Sequence, residues 1–228
     1  VSDNIAHDLR TPLTRLRNDL VSFQKDCSTH EFDRVETLIA EADDMLATFN
    51  ALLRIARIEL GETKAERVSL ALDKLIEDVV ELYEPLALEK GIHLQLELYP
   101  TECVADRNLL FQACANIVDN AIKYTPQGGN VQVSLSQGDQ YGFDGHLGGS
   151  DNKEASVTFS VLDSGCGIDQ RNYKKVLRRF YREESSRSLQ PGNGLGLSLV
   201  AAVAKLHDFQ LIFKPNDPGL QVHLHMQG

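Results

Sequence analysis

Along the first sixty residues, apolar side chains return every three or four positions. They are Ile5, Leu9, Leu16, Leu20 and Phe23, then Phe32, Val35, Ile39, Ala42, Met45 or Leu46, Phe49, Leu52 or Leu53, and Ala56. That period predicts two helices, the second from about Glu31, joined by the short polar stretch DCSTHE. Each helix carries one apolar stripe, and a lone hairpin covers both stripes poorly. Two hairpins bury them together, so the pattern predicts a four-helix bundle built by a homodimer. The alternative is that the stripes pack on the rest of the chain.

Past GETKAER the period changes. Residues from about Ala71 to Lys90 read as helix, and HLQLELY alternates as a half-buried strand. Asp106 is placed to cap a helix that runs to about Tyr124. NVQVSLS and ASVTFSVLD alternate as strands, a helix follows near Gln170 to Arg178, and another runs from about Leu195 to His207. FQLIFK and LQVHLHM complete the strands. Helices and strands mixed this way predict an α/β sandwich with helices on one face of a mixed, mainly antiparallel sheet. The expected organisation is a helical hairpin over residues 1–60, a hinge at 61–66 and an α/β domain over 67–228, an α + α/β chain. Residues 137–154 hold five glycines and no apolar period, and read as a long flexible hairpin loop, with a partner-docking loop as the alternative.

Composition narrows the function classes. At 42% hydrophobic and 25% charged residues the chain is ordinary for a globular protein. A net charge of −10 suits neither nucleic acid nor direct contact with an anionic membrane surface. No apolar run approaches the ~20 residues of a spanning helix, and no leader sequence is visible. The chain starts abruptly in helical sequence and reads as a piece of something longer, with its first helix cut short. Cys27, Cys103, Cys114 and Cys166 show neither paired nor zinc-ligand spacing, which fits small apolar filler in a reducing compartment.

The chemistry-bearing stretches come in order. In HDLRTPL, His7 and Asp8 fall off the apolar stripe and Thr11 lies one turn beyond His7 on the same face. Pro12 has no N–H for the Asp8 carbonyl and is expected to bend the helix there. The bland alternative makes Thr11 an N-cap with Pro12 at the first helical position. In NIVDNAIKYTP, Asn116 and Asn120 share a helix face, and two neutral oxygens so spaced can hold a Mg²⁺ that bridges phosphates. Lys123 adds positive charge one turn on. Asp163, in DSGCGI, ends a strand and can accept a hydrogen bond from an exocyclic amine, while Gly165 and Gly167 admit a flat base. RRFYREESSRS offers Arg182 and Arg187 to a γ-phosphate. In PGNGLGLSLV, Gly192, Gly194 and Gly196 free backbone N–H groups where a helix begins at about Leu195, a favourable place for phosphate. The spacing fits neither a Rossmann nor a P-loop fingerprint.

Together these stretches resemble the cytoplasmic core of a bacterial sensor histidine kinase of two-component signalling. HDLRTPL resembles that family's phosphoacceptor box, NIVDNAIKYTP its N box, DSGCGI its first glycine box, RRFYR its F box and GNGLGL its second glycine box. Arg178 stands where the family often has an acid, and Leu177 where phenylalanine is common. The resemblance implies a dimeric phosphoacceptor hairpin followed by a Bergerat-type ATP-binding domain. On that resemblance Asn116, Asn120, Lys123 and Tyr124 line a Mg²⁺–ATP site and Asp163 takes the adenine. Gly165, Gly167, Gly194, Leu195 and Gly196 shape the pocket, and the segment between the glycine boxes is a lid. His7 takes phosphate from ATP with Asp8 as its general base, then passes it to an aspartate on a response-regulator receiver domain. Thr11 holds a water for the reverse, phosphatase, reaction. The parent protein is expected to sit in the inner membrane with this part in the cytoplasm. Two other readings stay open from sequence: an ATPase of the gyrase or chaperone kind, which has no use for HDLRTPL, and a phosphatase-biased scaffold.

Overall fold

The computed structural model describes residues 2–26, 29–137, 156–183 and 192–226, and the side chains of residues 2–10, 25–26 and 29–30 fall outside that description. Cys27, Arg187 and nearly all of the predicted 137–154 loop therefore lie outside the described residues. Two compact units make up the chain, Val1–Thr63 and Lys64–Gly228.

The first unit is a helical hairpin, α1 (Ser2–Asp26) and α2 (Thr29–Glu59). Pro12 lies inside α1, which starts at Ser2, and this overturns the reading of Thr11 as an N-cap. Helix α2 begins at Thr29, earlier than the expected Glu31, so the connection is shorter than DCSTHE. Val35, Ala42, Ile55 and Ile58 are buried, whereas Leu16, Phe23, Phe32, Leu38 and Met45 stand exposed along the same pair of helices. An exposed ion pair between Arg17 and Asp43 links α1 to α2 and contributes little in water. Beyond α2, Gly61 adopts φ +70° and donates its N–H to the Ile58 carbonyl at 3.1 Å. A left-handed glycine there ends the helix as such caps do.

The second unit is an α/β sandwich. Its elements run β1 (Val68–Ala71), α3 (Leu72–Glu89), β2 (His93–Glu97), β3 (Glu102–Ala105), α4 (Arg107–Tyr124), β4 (Asn130–Gln137), β5 (Val157–Asp163), a 3₁₀ turn (Gln170–Asn172), α5 (Gly196–Leu206), β6 (Gln210–Pro215) and β7 (Leu220–Met226). Five strands form one sheet in the order β2-β4-β5-β7-β6, parallel only between β2 and β4. β1 and β3 pair separately as an antiparallel ribbon.

Three sequence expectations need correction. β3 was not expected; its four residues, ECVA, are too few to show a period, and it exists by pairing with β1. The helix expected near Gln170–Arg178 is only a 3₁₀ turn, started by Asp169 accepting from the Arg171 N–H, followed by irregular turns. β2 is mostly exposed rather than half-buried, because it is an edge strand.

Alternation along β4, β5 and β7 builds the core. Val131, Val133, Phe159, Val161, Val222 and Leu224 are buried on one face, and Ile76 and Val79 of α3, Ile117 of α4 and Val200 and Val203 of α5 are buried as well, with α4 packed on β4 and β5, α3 on β2 and α5 on β6. The other face carries buried polar pairs. Ser160 Oγ meets His223 Nδ1 at 2.8 Å, and Thr158 Oγ1 meets His225 Nδ1 at 2.9 Å. Burial holds His223 down to about 4, with Lys214 pushing the same way, so it is neutral at ordinary pH.

Helix α4 is fixed at both ends. Asp106 Oδ1 accepts from the N–H groups of Asn108 (3.0 Å) and Leu109 (3.1 Å), the cap read from sequence. At the other end Lys90 Nζ donates to the carbonyls of Ile122 (2.8 Å), Lys123 (3.0 Å) and Thr125 (2.9 Å). The Asp106 N–H in turn donates to His207 Nε2 at 3.0 Å, tying the start of α4 to the end of α5.

Candidate nucleotide site

Helix α4 is the spine of the site. Asn116 and Asn120 lie one turn apart on it, and both face the first residue of α5. A Cβ built on Gly196 would stand 2.8 Å from Asn116 Oδ1 and 3.5 Å from Asn120 Nδ2. Asn116 Nδ2 is engaged by the Gln112 carbonyl at 2.8 Å, which turns Oδ1 outward toward α5. No side chain caps α5 at Leu195, so its first-turn N–H groups are available to an anion at the positive end of the helix.

One turn further along, Lys123 points at the glycine-rich segment: its Nζ would be 3.1 Å from a Cβ on Gly192. Arg182 reaches the same place, with Nη1 donating to the Gly192 carbonyl at 2.8 Å. The Phe180 N–H donates to the Gly194 carbonyl at 2.9 Å, and Phe180 takes φ +61° and is 56% exposed. The F-box aromatic is thus held to the second glycine box by its main chain and not by its ring. On α4 itself, burial raises the Asp119 carboxyl, with Lys123 opposing the shift.

At the C-terminal end of α4, Tyr124 brings its carbonyl against the first glycine box. A Cβ on Gly165 would stand 2.6 Å from that carbonyl oxygen, so only glycine fits. Asp163 ends β5 and is buried, with Oδ1 accepting from the Gly165 N–H at 2.8 Å and the Leu220 N–H at 3.3 Å. Burial pushes its carboxyl up to about 6, against the pull of those two N–H groups. Gly167 packs on the carbonyl of Gly219. Cys166, between the two glycines, is exposed, a correction to its reading as buried filler; Cys103 and Cys114 are buried.

Asn116, Asn120, Lys123, Tyr124, Asp163, Gly165, Gly167, Arg182, Gly194, Leu195 and Gly196 therefore belong to one contiguous surface along α4. From Asn116 to Tyr124 that surface runs about 12 Å at the helical rise per residue. One end offers amides, cations and a helix start; the other offers a buried carboxylate beside closely packed glycine backbone. Such a layout suits an elongated ligand with an anionic tail and a flat, amine-bearing head. His7, Asp8 and Thr11 lie on α1, in the other unit, the first two placed by their backbone alone. Sequence reasoning missed Lys90, Ser164, Asn216 and Leu220, which support the site through main-chain contacts. Ser164 Oγ, for example, accepts from the Asn130 N–H at 2.8 Å. The Lys90–Gly91 pair at a helix end and the turn NDPG were the available signals.

Residues 105–227 match the family described as histidine kinase-, DNA gyrase B-, and HSP90-like ATPase, and residues 1–61 match the histidine kinase A (phospho-acceptor) domain. Among curated relatives, the signal transduction histidine-protein kinase BaeS of Escherichia coli (strain K12) is 28% identical over 211 residues, covering 92% of this chain and 42% of its own. The signal transduction histidine-protein kinase/phosphatase MprB of Mycobacterium bovis is 30% identical over 225 residues, covering 94% and 40%. The chain thus spans about two fifths of the length of these relatives. Full-length ShkA in complex with AMPPNP superposes with a TM-score of 0.78 at 23% identity, over 98% of this chain and 44% of that one. The Acinetobacter baumannii histidine kinase AdeS does so at 0.67 and 17% identity, over 97% of both chains. Both structures share the fold.

Proposed function

Because the chain belongs to the histidine kinases of two-component signalling, with a phosphoacceptor domain ahead of an ATPase-type domain, we propose that it phosphorylates itself on His7 from ATP and passes the phosphoryl group to an aspartate of a response-regulator receiver domain. The observation that carries this reading is the meeting of residues scattered from 116 to 196 along one side of α4, amides and cations at one end and Asp163 at the other. ATP lies along that surface with adenine at Asp163 and phosphates at Asn116, Asn120, Lys123 and the start of α5. Residues 1–60 are the phosphoacceptor hairpin, 61–66 a hinge and 67–228 the catalytic domain.

Mg²⁺ fits the donor set. Asn116 Oδ1 is free of its own helix and turned outward, and amide oxygens with phosphates and waters suit this cation. Asn116 and Asn120 would hold it, and when bound it would supply charge compensation at the phosphates. Lys123 and Arg182 neutralise the remaining phosphate charge. His7 attacks the γ-phosphorus through a neutral ring nitrogen, and the bond to the β–γ bridging oxygen breaks. Asp8 takes the proton that the ring gives up. Thr11, one turn from His7, orients a water for phosphatase action on the receiver. The exposed Leu16, Phe23, Phe32, Leu38 and Met45 support a homodimer closed through the hairpin. Among the described residues no helix is long and apolar enough to cross a membrane.

Incubation with γ-labelled ATP and Mg²⁺ tests the reading. Wild type is expected to acquire acid-labile, alkali-stable label that is absent from His7→Ala and reduced at least a hundredfold in Asn120→Ala. Label that survives His7→Ala would remove the phosphoacceptor assignment.

A further inference from the structure

The turn between β6 and β7, residues 216–219, lies outside every motif described above, yet it makes the closest approach to Asp163. Asn216 Nδ2 donates to the Asp163 main-chain carbonyl at 2.7 Å. The Leu220 N–H, at the far side of the turn, donates to Asp163 Oδ1 at 3.3 Å. Within the turn, the Asn216 N–H closes on the Gly219 carbonyl at 3.1 Å, and Gln221 Nε2 donates to Asn216 Oδ1 at 3.3 Å. Gly219 sits at φ +120°, and a Cβ there would stand 1.8 Å from the Asp163 carbonyl oxygen. The turn and the end of β5 are therefore pressed together with no room for a side chain between them.

The consequence falls on one oxygen atom. Both N–H groups that reach the carboxylate, from Gly165 and Leu220, go to Oδ1. Among the described residues none donates to Oδ2. A carboxylate with one oxygen doubly held is fixed in rotation, and its other oxygen is not among the fully buried unpaired atoms, so it is left open to a donor from outside. The amide of Asn216 fixes the main chain from which that side chain departs.

We propose that Asn216 is a positioning residue for base recognition: by clamping the Asp163 main chain to the β6–β7 turn, it aims Oδ2 at the exocyclic amine of adenine. This rests on the reading of Asp163 as the base acceptor. No bond is made or broken by Asn216, and it acts only through Asp163. Asn116, Asn120, Lys123 and Gly196 lie on α4 and α5, away from residues 216–219, so the phosphate end is insulated from a change in the turn. Loss of the clamp weakens the amine contact and spares the rest.

The test compares two nucleotides on the full chain at pH 8. Binding of ATP and of purine-riboside triphosphate, which lacks the exocyclic amine, is measured by calorimetry for wild type, Asn216→Asp and Asn216→Ala, below the melting temperature of each. Asn216→Asp keeps the size of the side chain and removes the N–H donor, so it serves if Asn216→Ala fails to fold. Wild type is expected to prefer ATP by roughly tenfold or more, the scale of one hydrogen bond to a charged acceptor. The variants are expected to weaken ATP about five- to thirtyfold and the analogue by less than about twofold, so that the preference collapses. An unchanged ATP-to-analogue ratio, or parallel weakening of both nucleotides, overturns the role of Asn216 while leaving Asp163 as base acceptor. A wild type that binds both nucleotides equally removes the reading of Asp163 itself, and the clamp with it.

Discussion

In the base-accepting role proposed for it, Asp163 would serve binding at a cost to folding. Its carboxyl lies at about 6 in the folded chain against an ordinary 3.8, chiefly because burial disfavours the charge. Above about pH 6 it is ionised and can accept from an amine, so nucleotide affinity is expected to fall as pH drops through that value. Stability runs the other way. An acid whose folded pKa is raised favours the folded state most below its unfolded value, and that contribution is lost as pH rises through the folded one. At pH 8 the loss amounts to about 3 kcal/mol, at ~1.4 kcal/mol for each tenfold change. Asp163→Asn is therefore expected to bind ATP more weakly yet melt higher than wild type at pH 8, with the gain vanishing near pH 4. Thermal melts across that range check it; a gain independent of pH would mean the carboxylate is not the source.

At the scale of elements, α4 is the part on which the site depends most, and its C-terminal end is held by Lys90. Three N–H···O=C bonds from one ammonium group satisfy carbonyls that a helix end leaves open and place a cation at the negative end of the helix dipole. Burial lowers the Lys90 pKa, which marks the price of holding it there. Lys90→Met is expected to cost about 2 kcal/mol and roughly 4–8 °C in melting temperature, with weaker ATP binding because Lys123 and Tyr124 lose their anchor. The amides, the glycines and Asp163 were legible in sequence because each is local: a four-residue spacing on a helix, or a glycine cluster at a strand or helix end. Lys90 and Asn216 were not, since what they hold lies 32 to 53 residues away in the chain and no spacing within either stretch reports it. β3 was missed for a related reason, being a strand only through its pairing with β1. The over-long helix at Gln170–Arg178 came from reading polar, turn-forming residues as helical; the Asp169 carboxylate caps only one 3₁₀ turn before the chain bends away.

For the whole molecule the division into Val1–Thr63 and Lys64–Gly228 separates the residue proposed to receive phosphate from the surface proposed to bind ATP. The first residues of the second unit are tied down inside it: Arg67 Nη2 donates to the Leu206 carbonyl at 2.8 Å and to Asp208 Oδ2 at 2.9 Å, and the Glu66 N–H to Asp106 Oδ2 at 3.2 Å. Residues 64–228 expressed alone are therefore expected to fold, to bind ATP within about threefold of the full chain, and to acquire no label. Calorimetry and the labelling assay check both halves of that statement, and label on the isolated unit would point to an acceptor other than His7. The sheet order adds a consequence in time. β7, the last of the described strands along the chain, lies between β5 and β6 in the sheet and brings the Leu220 N–H to Asp163. A ribosome adding roughly 5–20 residues per second finishes the helical hairpin some ten to thirty seconds before it reaches that strand. Throughout that interval the nascent chain carries His7 while Asp163 lacks its Leu220 partner, so the autophosphorylation proposed above is expected to begin only once β7 has been added.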